Sequence, residues 1–168
     1  MFKDWFQVVV KYYKNSDEEE SKNVSENFLF DAVSWTEAEV RVAEEMKKIS
    51  KEGFFQIKNI KKTKLTEVFA YDSGDWWFKV GVDMIVLDED KGKEKKTRLN
   101  YLVMADDLQE ALDRINLVLE DSISDYQIEA LNRSSIVEVF PYVENLEKIN
   151  SDLLKEVEGY EFKVDKNE

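Results

Sequence analysis

Trp5-Phe6-Gln7-Val8-Val9-Val10 returns as Trp77-Phe78-Lys79-Val80-Gly81-Val82, and Glu67-Val68-Phe69-Ala70-Tyr71 returns as Glu138-Val139-Phe140-Pro141-Tyr142. The returns lie 72 and 71 residues further on, so one long unit is used twice. In the first copy Phe6, Val8, Val10 and Tyr12 form one apolar face, against Trp5, Gln7, Val9, Lys11 and Tyr13 on the other. A strict period of two is the pattern of a half-buried strand. Phe78, Val80, Val82 and Met84 keep the same phase. Gly81 stands where Val9 stood, which marks a bulge or a close approach.

The rest of each unit follows outward from that strand. A polar loop comes next, acidic in the first copy (Asp17-Glu18-Glu19-Glu20) and basic in the second (Lys91 to Arg98). Each reads as a hairpin connection to a second strand, Asn27–Ala32 or Asn100–Ala105. Trp35, Ala38, Val42, Met46 and Ile49 then recur at helical spacing. Ser34 followed by Glu37 is a capping-box pattern. The second helix uses Asp106 or Asp107 as cap and Leu108, Ala111, Leu112, Ile115, Val118 and Leu119 as its stripe. Ala38 and Ala111 predict close packing of helix on sheet. Short strands close each copy, through Phe55–Ile57, Ile60 and Glu67–Phe69, or Tyr126–Ile128, Leu131 and Glu138–Phe140.

The expected fold is therefore α+β. Two tandem β-β-α-β-β repeats, 1–72 and 75–142, form one domain over 1–142, with a pseudo-symmetric antiparallel sheet and helices packed on one side. At about 70 residues each copy is marginal alone, so a shared core is expected. A C-terminal helix and tail fill 143–168, with Leu146, Ile149, Leu153 and Val157 on one helical face. That face either caps the sheet or makes a homo-oligomer contact. Tyr160, Phe162 and Val164 alternate as an edge strand would.

Composition excludes several chemistries. The 168 residues contain no cysteine and no histidine. Disulfides, thiolate nucleophiles, Cys/His zinc sites and Ser-His-Asp machinery are thereby ruled out within the chain. No catalytic residue, cofactor or metal is expected; carboxylate-only chemistry is the remaining route to an enzyme. Nothing approaches the roughly 18 apolar residues of a membrane span, and the N-terminus lacks the layout of a signal peptide. A cytoplasmic setting in a bacterial host cell, away from membranes, is expected. The net charge of −13 is shared as −2 over residues 1–74, −7 over 75–142 and −4 over the tail. Such a balance repels polyphosphate globally and leaves only a local basic face to bind it.

Four words of the chain resemble a domain family of unknown function found in anaerobic gut bacteria and in their phages and mobile elements. They are Trp5-Phe6-Gln7-Val8-Val9-Val10-Lys11-Tyr12, Thr36-Glu37-Ala38-Glu39, Trp77-Phe78-Lys79 and Val139-Phe140-Pro141-Tyr142. The likeness covers roughly 4–142. These are structural words, so it implies a phage or mobile-element setting and transfers no site residue. The order of four strands and a helix over 54–120 is similar to the single-strand-binding PUR and Whirly modules, in topology alone.

Two opposite binding surfaces are open. Lys58, Lys61, Lys62 and Lys64 follow one strand, and Lys91, Lys93, Lys95, Lys96 and Arg98 line the second hairpin. Brought together they would make a positive stripe for nucleic acid, including single strands, with Phe54, Trp76 and Tyr101 as stacking faces. The same lysines equally serve to solvate an edge strand and a loop. Conversely, Asp17, Glu18, Glu19 and Glu20, with Glu37, Glu44, Glu45, Asp88, Glu89, Asp90, Asp106 and Asp107, could imitate phosphates toward a basic nucleic-acid-handling protein. They also read as ordinary solvated faces. Of Trp76 and Trp77, one must face away from the core. The sequence thus predicts a non-catalytic binder of nucleic acid or of a nucleic-acid-handling protein. An acidic protein-binding inhibitor or a virion or assembly component is the alternative.

Overall fold

The computed structural model describes residues 3–14 and 22–142. The element order is β1 (Asp4–Lys14), β2 (Lys22–Ala32), α1 (Trp35–Ile49), β3 (Ser50–Lys62), β4 (Glu67–Phe69), β5 (Trp76–Asp88), β6 (Lys93–Ala105), α2 (Leu108–Leu119), β7 (Asp125–Arg133) and β8 (Ile136–Phe140). The C-terminal helix with Leu146, Ile149 and Leu153, the tail strand and the Asp17–Glu20 loop lie outside the described residues.

The strands form two four-stranded sheets, ordered β3-β1-β2-β8 and β4-β6-β5-β7. The first unit comprises Met1–Lys64 with Ser135–Tyr142, and the described part of the second is 65–134. One antiparallel sheet was the expectation; the strands instead divide between two, and both sheets are mixed. β8 joins β2 in parallel, and β4 joins β6 in parallel.

Chain geometry explains the division. β2 and β3 are both antiparallel to β1, so they run the same way, and β2 keeps one free edge. A strand placed parallel on that edge directly after β3 needs a crossover of a dozen residues or more. Only residues 63–66 separate β3 from β4, and only 134 and 135 separate β7 from β8. Each closing strand therefore enters the sheet built by the other half of the chain. The four strands between 54 and 120 accordingly do not share a sheet, since β3 lies in the first and β4 to β6 in the second.

In the first unit Phe6, Val8, Val10 and Tyr12 are buried under α1, as their alternation demands. Val42 and Met46 meet them together with Phe28 and Phe30. Ala38, with no accessible surface, lets the helix sit close on Phe6 and Ala32. The Ser34 side chain accepts from the Glu37 amide at 3.1 Å, while the Glu37 carboxylate accepts from the Val33 amide at 2.9 Å. Two amides without helical partners are thus satisfied reciprocally. The second unit repeats these solutions. Ile115 and Leu119 cover Val80, Val82, Tyr101, Val103 and Phe69. Ala111 packs with Phe78 and Ala105. Asp107 is the cap, with Glu110 closing the box on the Asp106 amide.

Three expectations fail on orientation. Trp35 and Leu108 open their helices and are 51% and 52% exposed, so the buried stripes begin one turn later, at Ala38 and Ala111. Tyr101 cannot offer a stacking face: it shares the α2 side with Val103 and is buried against Phe69, ring centroids 5.6 Å apart.

Candidate functional site

Strand parity decides which side chains of the first sheet point away from α1. On β1 they are Trp5, Gln7, Val9, Lys11 and Tyr13, the positions between the buried ones. The register places Lys61 opposite Gln7, Asn59 opposite Val9 and Gln56 opposite Lys11. A bulge at Lys58 absorbs one residue, so that 54 and 56 before it and 59 and 61 after it share one face. Asn27, Ser25 and Asn23 continue this face on β2, opposite Val9, Lys11 and Tyr13. Gln7 donates to the Asn27 side chain at 3.2 Å.

The exposed part of this face has two lysines, a row of amides and two aromatic rings, Tyr13 at 45% and Phe54 at 63% exposure. Asp31, at the β8 end, is the one carboxylate among its described β1–β3 positions. It is 1% exposed and paired with Arg41, so it presents no charge outward. The nearest carboxylate along β3 is Glu52, beside Gly53 in an irregular stretch where both have positive φ, 55° and 73°.

The sequence-predicted basic residues fall into two groups on two different sheets. Lys58 and Lys61 are exposed on β3, and Lys62 is engaged by Asp4 at 2.8 Å. Lys64 follows the strand, exposed. Lys93, Lys95, Lys96 and Arg98 are exposed on β6. There Lys96 donates to the Gln127 side chain at 3.3 Å, and Arg98 donates its Nε–H to Asp83. That contact holds the Asp83 carboxyl below the usual carboxylate range and raises the guanidinium further. Gly81 is what lets Arg98 lie across the sheet, since a Cβ there would stand 3.1 Å from its Nη1 and 3.4 Å from Ala130 Cβ. It also borders the β5–β7 bulge, so both readings of this glycine hold. Asp88 and Asp90 close the hairpin turn, the Asp88 carboxylate accepting from the Asp90 and Lys91 amides.

Trp77 is buried and Trp76 is 44% exposed, with the Arg133 guanidinium over its ring. A shallow depression between α2 and β7 is lined by Asp113, Asn116, Leu117, Glu120 and Tyr126. Among the described residues no group of three carboxylates is placed to hold a metal ion, and no helix is long and apolar enough to cross a membrane.

Sequence reading missed two arginines. Arg41 on α1 bonds the carboxylate and carbonyl of Asp31, reaches the Phe140 carbonyl at 3.2 Å, and lies 3.9 Å from the Tyr142 ring centroid. Lys3 covers the same ring at 3.6 Å. Arg114 on α2 bonds the Met104 and Ser73 carbonyls and Glu110, and lies over Tyr71. Each arginine thus fastens the end of a closing strand, β8 or β4, to the helix of the unit it enters. A signal existed: the chain has four arginines among 24 basic residues, and two of them stand 73 residues apart in matching helices.

Residues 4–142 match the family model described as a domain of unknown function, DUF4494. The chain belongs to that family, one of unknown function, as the four sequence words implied. Neither a curated protein nor a solved structure matches it.

Proposed function

We propose that this chain is a duplicated β-β-α-β-β unit acting as a non-catalytic binding protein. Its target is nucleic acid, reached through the face of the first sheet away from α1. The observation that carries the reading is the absence of exposed carboxylates on the described β1–β3 face of a protein with net charge −13. Lys11 and Lys61 are exposed on that face, and the register sets them on neighbouring strands. Cations held on a sheet neutralise phosphates and release their counterions, the main source of sequence-independent affinity. The phage or mobile-element setting draws its support from the four-word resemblance. The duplication draws its support from the matched sheet orders, both capping boxes and the paired arginines.

The test is fluorescence anisotropy with a short labelled single strand, titrated at several salt concentrations. The expected result is salt-sensitive binding, with a log–log slope that falls by roughly 1.4 in the Lys11→Gln, Lys61→Gln double variant, two contacts at about 0.7 each. Absence of binding at low salt defeats the reading. The charge of −7 over residues 75–142 favours the rival reading, an acidic inhibitor or assembly component facing a basic protein. A basic partner captured by pull-down and released by salt would carry that reading instead.

A further inference from the structure

Tyr13 and Phe54 have no role in the fold that accounts for their exposure. Tyr12, one residue before Tyr13, is buried and hydrogen-bonded to Glu26 at 2.6 Å. Phe55, one residue after Phe54, packs on the core beneath α1. Tyr12 and Phe55 are the last partners before the register shifts to Lys14 opposite Ser50, and Tyr13 and Phe54, the next residue of each strand, are both exposed at that break. Both rings thus stand at the same end of the lysine-bearing face, one on each of two neighbouring strands. Single exposed apolar residues are ordinary. A pair of aromatic rings beside two lysines and a row of amides is a more specific composition.

Resting on the nucleic-acid reading above, we infer that Tyr13 and Phe54 form a base-stacking platform and that the ligand of this face is single-stranded. A duplex keeps its base faces inside its own stack, so it offers a sheet only phosphates and groove edges. An unpaired strand can lay two bases on the two rings. Each ring has a π-face that accepts any base. Lys11 and Lys61, further along the same face, then meet the phosphates of the strand as it continues. Gln56 and Asn59 lie between Phe54 and Lys61 on β3 and present amide donors and acceptors to base edges. Phe54 directly follows the irregular stretch at Glu52 and Gly53, where both residues have positive φ, and is 63% exposed. No carboxylate of the described β1–β3 face competes with the incoming phosphates, so the charge of the surface matches this occupant.

The experiment compares one labelled oligonucleotide in three forms: single-stranded, annealed to its complement, and with abasic sites in place of the bases. Wild-type protein is expected to bind the single strand most tightly. Tyr13→Ala with Phe54→Ala is expected to weaken that binding roughly thirtyfold or more, from two lost stacking contacts, while weak duplex binding is unchanged. Tyr13→Phe with Phe54→Tyr keeps both rings and is expected to retain the single-strand preference. Both positions are exposed, so unfolding midpoints serve as the control that each variant is folded. Equal binding of all three forms, unaffected by the alanine pair but lost on Lys11→Gln with Lys61→Gln, overturns the stacking inference and leaves the nucleic-acid reading standing. Equally tight binding of an acidic peptide overturns the inference as well. Failure of every form to bind at low salt overturns both.

Discussion

The two units differ chiefly in where they put their carboxylates. Among the described residues the first buries one, Asp31, and leaves its exposed β1–β3 face without any. The second has Met104 at the matching place in β6 and sets Asp83, Asp125 and Glu94 on the face away from α2. Both units share the capping box, a bulge in the outer strand (Lys58 or Glu129) and an arginine over a tyrosine. Packing holds these shared parts, because any change in strand phase turns every side chain to the wrong side. Outward positions carry no such constraint, and there the units diverge into a face open to anions and a face that binds its own arginine.

The largest expected effect tests the hidden carboxylate. Arg41→Ala removes the ion-pair partner of Asp31, which is 1% exposed and also accepts from the Tyr142 amide at 2.9 Å; breaking a buried pair on one side costs about 3–5 kcal/mol. Arg114 is equally enclosed, but its carboxylate partner Glu110 is 33% exposed and can turn to water. Arg114→Ala therefore costs about 1–2 kcal/mol, the value of its hydrogen bonds to the Met104 and Ser73 carbonyls. Urea unfolding of the two variants measures the difference. Equal losses would show that the arginines act through the strand ends alone, and the contrast between Asp31 and Met104 would lose its meaning.

A smaller effect is expected on the outward faces. Asp83→Asn releases Arg98 on a sheet that already carries Lys79 and Lys96. We expect a severalfold gain in affinity for a short single strand, with the unfolding midpoint unchanged, since exposed pairs contribute little to stability. A gain confined to low salt confirms its electrostatic origin. If affinity stays the same, carboxylate placement is not what separates the two faces.

What was legible in the sequence was local. The alternation at Phe6–Tyr12 and Phe78–Met84, the caps Ser34 and Asp107, and the small residues Ala38 and Ala111 all act within a few residues of themselves, and each lies where its pattern placed it. The exchange of β4 and β8 was not legible, because it is fixed by the lengths of the links at 63–66 and 134–135 against the reach a parallel crossover needs. The site was legible only in pieces: Lys61 and Phe54 stood among the candidate contacts, and Lys11 and Tyr13 on the outward face of the first strand, but the lysine-rich run also drew attention to β6, where Arg98 is held by Asp83. Only the register, with its bulge at Lys58, places Lys11 and Lys61 on one face, and only burial shows Tyr13 and Phe54 exposed at its end.

The smallest expected effect concerns the entry of β8 into the first sheet. Burial raises the Glu138 carboxyl above the usual carboxylate range, and the charges of Glu45 and Glu26 raise it further. Glu26 is itself bonded by Tyr12 and Lys14, and Glu45 pairs with Lys48. A raised folded value means that the folded state holds this proton more tightly than the unfolded chain. The resulting stability is complete below the unfolded value and is lost as pH rises through the folded one. At neutral pH the ionised Glu138 therefore opposes the fold, and Glu138→Gln is expected to raise the unfolding midpoint slightly. At about pH 4 and below, the usual range for a glutamate, the wild-type side chain is protonated as well and the gap should close. The difference between two midpoint–pH curves therefore reports Glu138 together with its coupling to the charges of Glu45 and Glu26. A gap that stays constant with pH would assign it to packing instead, and the crowding of carboxylates at the β8 edge would then be no part of what distinguishes the first unit.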